Sequence, residues 1–214
     1  MIEHAILLSA GQGSRMLPLT AEQPKCLVRL SGRSLLGWQV EMLARVGVRR
    51  IDIVTGFGAG MVEAAVAAIA APPVGITCHF NPLFRVADNL GSCWIARGCM
   101  HGDFLLLNGD TLVCEEIVRR VQQGSAWPIA VTVDAKDHYD SDDMRVTRLP
   151  SGQLERIGKT LPDERSNAES IGFLALTGEG PALFRAAVEA AMHTREGVQH
   201  WYLKVIDSLA ATGK

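Results

Sequence analysis

An apolar run from His4 to Leu8 empties directly into Ser9-Ala10-Gly11-Gln12-Gly13-Ser14-Arg15, and no other stretch narrows the choice of fold as much. A short continuous apolar run marks a strand covered on both faces. The residues after it shed their bulk. Glycine carries no Cβ and reaches positive φ, so its N–H can approach a phosphate closely. Arg15 and Lys25 supply the cations that a polyphosphate needs. An ordinary tight turn with two surface cations has the same residues. Two familiar glycine signatures are excluded. The third glycine of the dinucleotide fingerprint falls at Met16, and no Gly-Lys-Ser/Thr occurs.

Further along, strand and helix patterns alternate. Ser34 is positioned to cap a helix running to about Val46, with Leu36, Val40 and Leu43 on one face and Gly47 as its stop. Ile51 to Thr55 reads as a strand, Gly60 to Ala71 as an Ala-rich helix ended by Pro72-Pro73, and Ile76 to Phe80 as another strand. Asp88-Asn89-Leu90-Gly91-Ser92 leads into a helix. Phe104 to Leu107 is wholly apolar, hence central in a sheet, and ends at Asn108-Gly109-Asp110. This alternation predicts an α/β fold: a Rossmann-like, mostly parallel sheet with helices on both faces. Ligands of such sheets sit beyond the carboxyl ends of the strands, so the Ser9–Gly13 turn and Asp110 belong on one edge.

The second half is less regular. Strands are expected at Ile129 to Val133, Met144 to Arg148, Gln153 to Ile157 and Ile171 to Leu176. A polar loop spans Gly158 to Ala168, and helices run from about Pro181 to His193 and Val198 to Ala211. No linker separates the halves, so the chain reads as one domain. Residues 1–112 form its first part, and 113–214 look like a lid and substrate lobe packed on it.

Composition excludes several classes. With 48% hydrophobic residues and a net charge of −2, the chain is not a dedicated nucleic-acid binder, which carries basic excess. Met1-Ile2-Glu3-His4 lacks the positive start of a signal peptide, and no stretch approaches membrane-spanning length. The five cysteines form no CxxC pair and read as reduced thiols of a cytoplasmic protein. The six histidines show no ligand spacing, and none is assigned a role.

From Leu8 through Arg15 and Thr20 to Pro24-Lys25, then Leu27, Gly32, Ser34-Leu35-Leu36, Gly47 and Val54-Thr55-Gly56, the chain resembles a family of nucleotidyltransferases. These enzymes activate sugar phosphates and phospho-alcohols with a nucleoside triphosphate. Asp110 falls where that family carries its first magnesium-binding aspartate. The middle of the chain is most similar to the cytidylyltransferase branch acting on phosphocholine, inositol phosphate or aminoalkylphosphonates. That similarity rests on Asn81-Pro82, Asn89 ahead of Gly91-Ser92, Asp143-Met144-Arg145-Val146, Lys159 and Glu169-Ser170-Ile171-Gly172.

The resemblance implies the fold of the nucleotide-diphospho-sugar transferases and a transfer of CMP from CTP to a small phosphorylated acceptor. Leu8, Ala10, Gly11, Gln12, Gly13, Ser14, Arg15, Lys25, Asn89 and Ser92 would bind the nucleotide. Among them Arg15 would meet the β and γ phosphates, Lys25 the α-phosphate, and Asn89 and Ser92 the base or ribose. Asp110 would hold Mg²⁺, and Lys159 and Glu169 would contact the acceptor. Neither nucleic acid nor membrane is an expected partner, and a homodimer stays open. Members of the family continue past the last helix into a strand bearing a second acidic metal ligand. Here the sequence stops at Gly213-Lys214, so that strand is expected to be missing or the contact to come from elsewhere. A sugar-1-phosphate transferase using UTP or another triphosphate is the nearest alternative, followed by a nucleotide-binding regulatory protein of weak turnover.

Plainer readings stand beside these. Asp110 would also serve to cap a helix at Glu115-Glu116. Asp134, Asp137, Asp140, Asp142 and Asp143 lack calcium-loop spacing and read as a solvated hairpin. Trp94, Trp127, Trp201 and Tyr202 read as packing residues rather than as a cage for a quaternary ammonium.

Overall fold

The computed structural model describes residues 1–69, 74–136 and 138–213. β1 (His4–Ser9) is buried along its whole length. A small hairpin, β2 (Arg29–Leu30) and β3 (Arg33–Ser34), follows the glycine-rich stretch; strands of two residues leave no periodicity to read. α1 (Leu35–Arg45) starts where Ser34 Oγ accepts the Gly37 N–H at 3.0 Å, a cap worth about 1 kcal/mol. Next come β4 (Arg50–Thr55), α2 (Ala59–Ala67) and β5 (Gly75–Phe80). The helix end expected at Ala71-Pro72-Pro73 lies outside the described residues, as does Asp137 of the acidic loop. α3 (Asn89–Ala96) closes in a 3-10 turn, Arg97–Cys99, and β6 (Phe104–Asn108) and α4 (Glu115–Gln122) follow. The remaining elements are β7 (Ile129–Asp134), β8 (Arg145–Arg148), β9 (Leu154–Gly158), β10 (Ala168–Leu176), α5 (Gly180–Met192) and α6 (Tyr202–Ala211).

One sheet runs through both halves in the order β5-β4-β1-β6-β10-β8-β9, with β7 also on β10. β5, β4, β1 and β6 are mutually parallel. β10 runs antiparallel to β6, β7 and β8, and β9 antiparallel to β8. Side chains alternate across this sheet. Ile6, Leu8, Phe104 and Leu106 pack under α3, α5 and α6. Ala5, Leu7, Leu105 and Leu107 pack under α1, α2 and α4. The expected α/β sheet with helices on both faces is therefore present, and Phe104–Leu107 is central in it. No described helix is long and apolar enough to cross a membrane.

α6 begins four residues later than its pattern suggests. Gly197–Gln199 form a 3-10 turn and His200 and Trp201 are extended, and the backbone of this stretch serves α3 instead. The Asp88 N–H donates to the Val198 carbonyl at 2.8 Å and the Leu90 N–H to that of His200 at 3.3 Å. The Tyr202 N–H in turn donates to Asn89 Oδ1 at 2.9 Å. A helix starting at Val198 would draw those carbonyls into its own ladder.

Candidate active site

β1 and β6 lie side by side and parallel, so their carboxyl ends open onto one rim. The chain leaving β1 is folded back on itself. Gln12 Nε2 donates to the Thr20 carbonyl at 3.1 Å, and the buried Thr20 hydroxyl donates to the Gly13 carbonyl at 2.8 Å. Gly13 sits at φ 81°, and a Cβ there would come within 2.8 Å of the Lys25 side chain. Glycine thus meets two needs at once: a left-handed backbone and room for the lysine to pass. Lys25 opens a 3-10 turn after Pro24. Its Nζ reaches across to Asp110 Oδ2 in direct contact.

Asp110 is held from three sides. The Gly109 N–H donates to the Leu8 carbonyl at 2.9 Å, an approach so close that a Cβ on Gly109 would meet Ser9 Oγ at 2.6 Å. Gln39, fully buried on α1, donates to the carbonyls of Asn108 and Thr111, each at 2.8 Å. The Thr111 hydroxyl donates to the Ile171 carbonyl of β10 at 2.8 Å. Asp110 does not cap α4, whose N-cap position is Cys114. Sequence patterns gave no notice of Gln39 or Thr111, because a polar residue on a helix face carries no sign of the turn it supports.

Two clefts meet on this rim. The first, of about 690 Å³, is lined by Leu8, Ala10, Gly11, Gln12, Gly13, Ser14, Arg15, Lys25, Asn89 and Ser92, together with Phe57, Phe84 and Arg85. Ser92 is buried, and its Oγ accepts from Asn81 Nδ2 at 3.2 Å. Asn89 spends its Oδ1 on the Tyr202 N–H. The second cleft, of about 480 Å³, is lined by Asp110, Asn108, Asp142, Asp143, Lys159, Glu169 and Trp201 among others. Arg15 and Asn89 border both.

The second cleft is densely paired. Arg15 Nη1 lies 2.9 Å from Asp142 Oδ2, and Lys159 Nζ lies 3.4 Å from Asp142 Oδ1 and 4.7 Å above the Trp201 ring. Lys136 bridges Glu169 at 2.7 Å and Asp143 at 3.1 Å. Lys159 and Arg15 hold the Asp142 carboxyl below its ordinary range. One lysine shared by two carboxylates splits the pair. Burial raises Asp143, but the Asp140 N–H and Lys136 more than offset it, so its pKa falls. Glu169 is raised by burial and by the neighbouring Asp143 charge, against the pull of Lys136. The expectation of a solvated acidic hairpin is corrected for Asp143, which is shielded beside Lys136, whereas Asp142 stays exposed. Asp142 and Asp143 line the cleft, where Arg15, far away in sequence, and Lys136, seven residues before Asp143, offer them charge partners. Of the aromatic residues, Trp201 faces the cleft, whereas Tyr202 is fully buried against Phe184.

This rim offers backbone donors and cations for a polyphosphate, and hard oxygen donors at Asp110 and Asn108. That donor set suits Mg²⁺, which binds through one or two carboxylates plus substrate phosphates. No thiol or imidazole borders either cleft.

Comparison with known proteins shows the family and the fold. The family model described as Nucleotidyl transferase matches residues 4–143. The chain is 27% identical over 194 residues to the Bifunctional IPC transferase and DIPP synthase of Aquifex aeolicus, which covers 89% of this chain and 42% of that protein. The chain thus spans less than half the length of that relative. It is 28% identical over 182 residues to the N-acetylmuramate alpha-1-phosphate uridylyltransferase of Neisseria meningitidis serogroup B, covering 85% of this chain and 74% of that one. Among solved structures, the inositol-1-phosphate CTP transferase of T. maritima superposes with a TM-score of 0.80 at 18% identity, over 99% of this chain and 82% of that one.

Proposed function

The chain belongs to the nucleotidyl transferase family, and from that premise we propose that it transfers CMP from CTP to a small phospho-alcohol or phosphonate, releasing pyrophosphate. The observation that carries this reading is the contact of Lys25 with Asp110 beside the Gly11–Gly13 turn. A cation, a carboxylate and a main-chain cradle converge there on one rim. An oxygen of the acceptor attacks the α-phosphorus of CTP, and the bond from that phosphorus to the bridging oxygen of pyrophosphate breaks. Negative charge grows on the α-phosphate and the leaving group, so the protein must position and neutralise rather than react covalently.

Backbone N–H groups of residues 11–14 hold the triphosphate. Lys25 lies against the α-phosphate and strengthens its hold as charge develops. Arg15 leaves Asp142 for the β and γ phosphates. Asn89 and Ser92 border the base and ribose. In the second cleft Lys159 pairs with the acceptor phosphate, and Glu169 faces the remainder of the acceptor. A divalent cation such as Mg²⁺, held by Asp110, would supply further neutralisation of the phosphates. The five free thiols are consistent with a reducing, cytoplasmic setting.

A second reading has specific support. The similarity to a uridylyltransferase over 85% of the chain favours UTP with a sugar 1-phosphate. Pyrophosphate release measured for each of the four triphosphates, crossed with choline phosphate, inositol phosphate, an aminoalkylphosphonate and sugar 1-phosphates, separates the two. CTP with a phospho-alcohol or phosphonate is the expected active pair. UTP with a sugar phosphate as the best pair overturns the first reading in favour of the second. Binding of triphosphate without release for any pair identifies a regulatory protein.

A further inference from the structure

A second polar cluster lies beneath the far end of α3, and none of its members borders either cleft. Asp52, fully buried in the middle of β4, is its hub. His79 of β5 brings Nε2 to 2.6 Å from Asp52 Oδ1. His4 of β1 brings Nε2 to 2.7 Å from Oδ2, and Arg50 Nε lies 2.8 Å from the same oxygen. Cys99, in the turn that closes α3, sets its Sγ 3.5 Å from His79 Nε2. One donor atom each from Asp52, His79 and Cys99 lies within 4.8 Å of the others.

The cluster is hydrogen-bonded throughout, the Cys99 thiol included, which meets Asp52 and Arg50 as well as His79. His4, Arg50 and His79 already satisfy both oxygens of Asp52. A thiol, an imidazole and a carboxylate thus converge on one point, each offering a donor atom that a metal ion could bind. Thiolate and imidazole bound tetrahedrally to zinc, at about 2.3 and 2.0 Å, stand about 3.5 Å apart, which is the separation between Cys99 and His79; Asp52 Oδ1, 2.6 Å from His79 Nε2, draws back on uptake to admit the ion. A carboxylate, an imidazole and a thiol form a borderline-soft set suited to zinc and its neighbours, unlike the oxygen-only set at Asp110.

We propose that Asp52, His79 and Cys99 form a structural binding site for a zinc-class divalent transition-metal ion, with His4 and Arg50 orienting Asp52 from its other oxygen. Such outer contacts to a ligating carboxylate are a regular part of metal sites. His79 and Cys99 are half-buried, which leaves an entry path and room for water in the fourth position. Burial and the Asp52 charge raise the Cys99 pKa, with Arg50 opposing, so the metal-free thiol keeps its proton. Uptake forms the metal–sulfur bond and releases that proton, while the His79 hydrogen moves from Nε2 to Nδ1. A bound ion joins β4, β5 and the end of α3, whose first residue, Asn89, borders both clefts.

The test uses the full chain, stripped with a chelator and titrated with Co²⁺ as a spectroscopic probe. One Co²⁺ per chain is expected, with a thiolate-to-metal charge-transfer band and tetrahedral visible absorption. Both are displaced by Zn²⁺ but not by excess Mg²⁺, and about one proton is released per ion. The band should vanish in Cys99→Ser and His79→Gln and persist in Cys114→Ser, which alters an exposed thiol. Circular dichroism of Cys99→Ser, the mildest change, checks that loss of the band is not loss of fold. A wild-type protein that takes up no Co²⁺, or a band that survives in Cys99→Ser, overturns the site.

Discussion

Single side chains at the rim do distinct work, and the sequence disclosed them unevenly. Gly11, Gly13, Arg15, Lys25 and Asp110 were legible because the turn and its cations are contiguous and Asp110 ends an apolar strand. Asp142 was not, since its partner Arg15 is more than a hundred residues away and spacing carries no sign of it. The histidines were equally silent: His4 and His79 acquire meaning only when the sheet brings them to Asp52. Gly13→Ala should cost about 1–2 kcal/mol in urea unfolding, because its left-handed backbone disfavours a Cβ. It should also lower turnover, since the new methyl displaces Lys25. Asp142→Asn frees Arg15 and Lys159. Both pairs are exposed and screened by solvent, so triphosphate affinity measured by calorimetry should rise only a few-fold.

Among helices and strands, existence was easier to read than limits. Ser34 caps α1 and the helix stops before Gly47, as local chemistry dictates. α6 starts late because backbone groups of residues 198–202 pair with α3, a tertiary demand that helix propensity does not register. α6 is fixed midway along its length by Asp207. That carboxylate accepts two hydrogen bonds from Arg156, at 2.8 and 3.1 Å, and one from the Ile157 N–H at 3.0 Å. Burial pushes its pKa up, but these donors pull harder, and it ends below the ordinary 3.8. Its folded value is therefore lower than its unfolded one, and unfolding takes up a proton as the solution is acidified. The stabilisation is present above pH 3.8 and fades as pH falls through the lower folded value. Asp207→Asn should be less stable at pH 7 and should lose less on going from pH 5 to pH 3. Denaturant titrations at several pH values read both effects.

For the molecule as a whole, topology is what makes a site out of scattered residues. The apolar runs specified β1 and β6 in the parallel core, and parallel neighbours must open on the same side. The strands β7 to β10 were legible one by one, but the pairing of β10 with β6, β7 and β8 was not, because it joins segments far apart in sequence. Since one sheet joins both halves, Leu106→Ala at its fully buried centre should cost about 2–5 kcal/mol. Circular dichroism and tryptophan fluorescence should then report one shared unfolding transition. The proposed convergence of the β1 and β6 ends on one triphosphate is tested most directly by single-turnover pyrophosphate release from Lys25→Ala, Asp110→Asn and the double variant, with nucleotide affinity measured alongside. Each single change should slow release about 10²–10³-fold with affinity altered only a few-fold. The double variant should lose less than the product of the two, because both groups act on the same charge. Turnover near that of the wild type in Lys25→Ala, or strictly multiplicative losses, would mean that these two groups do not share a triphosphate.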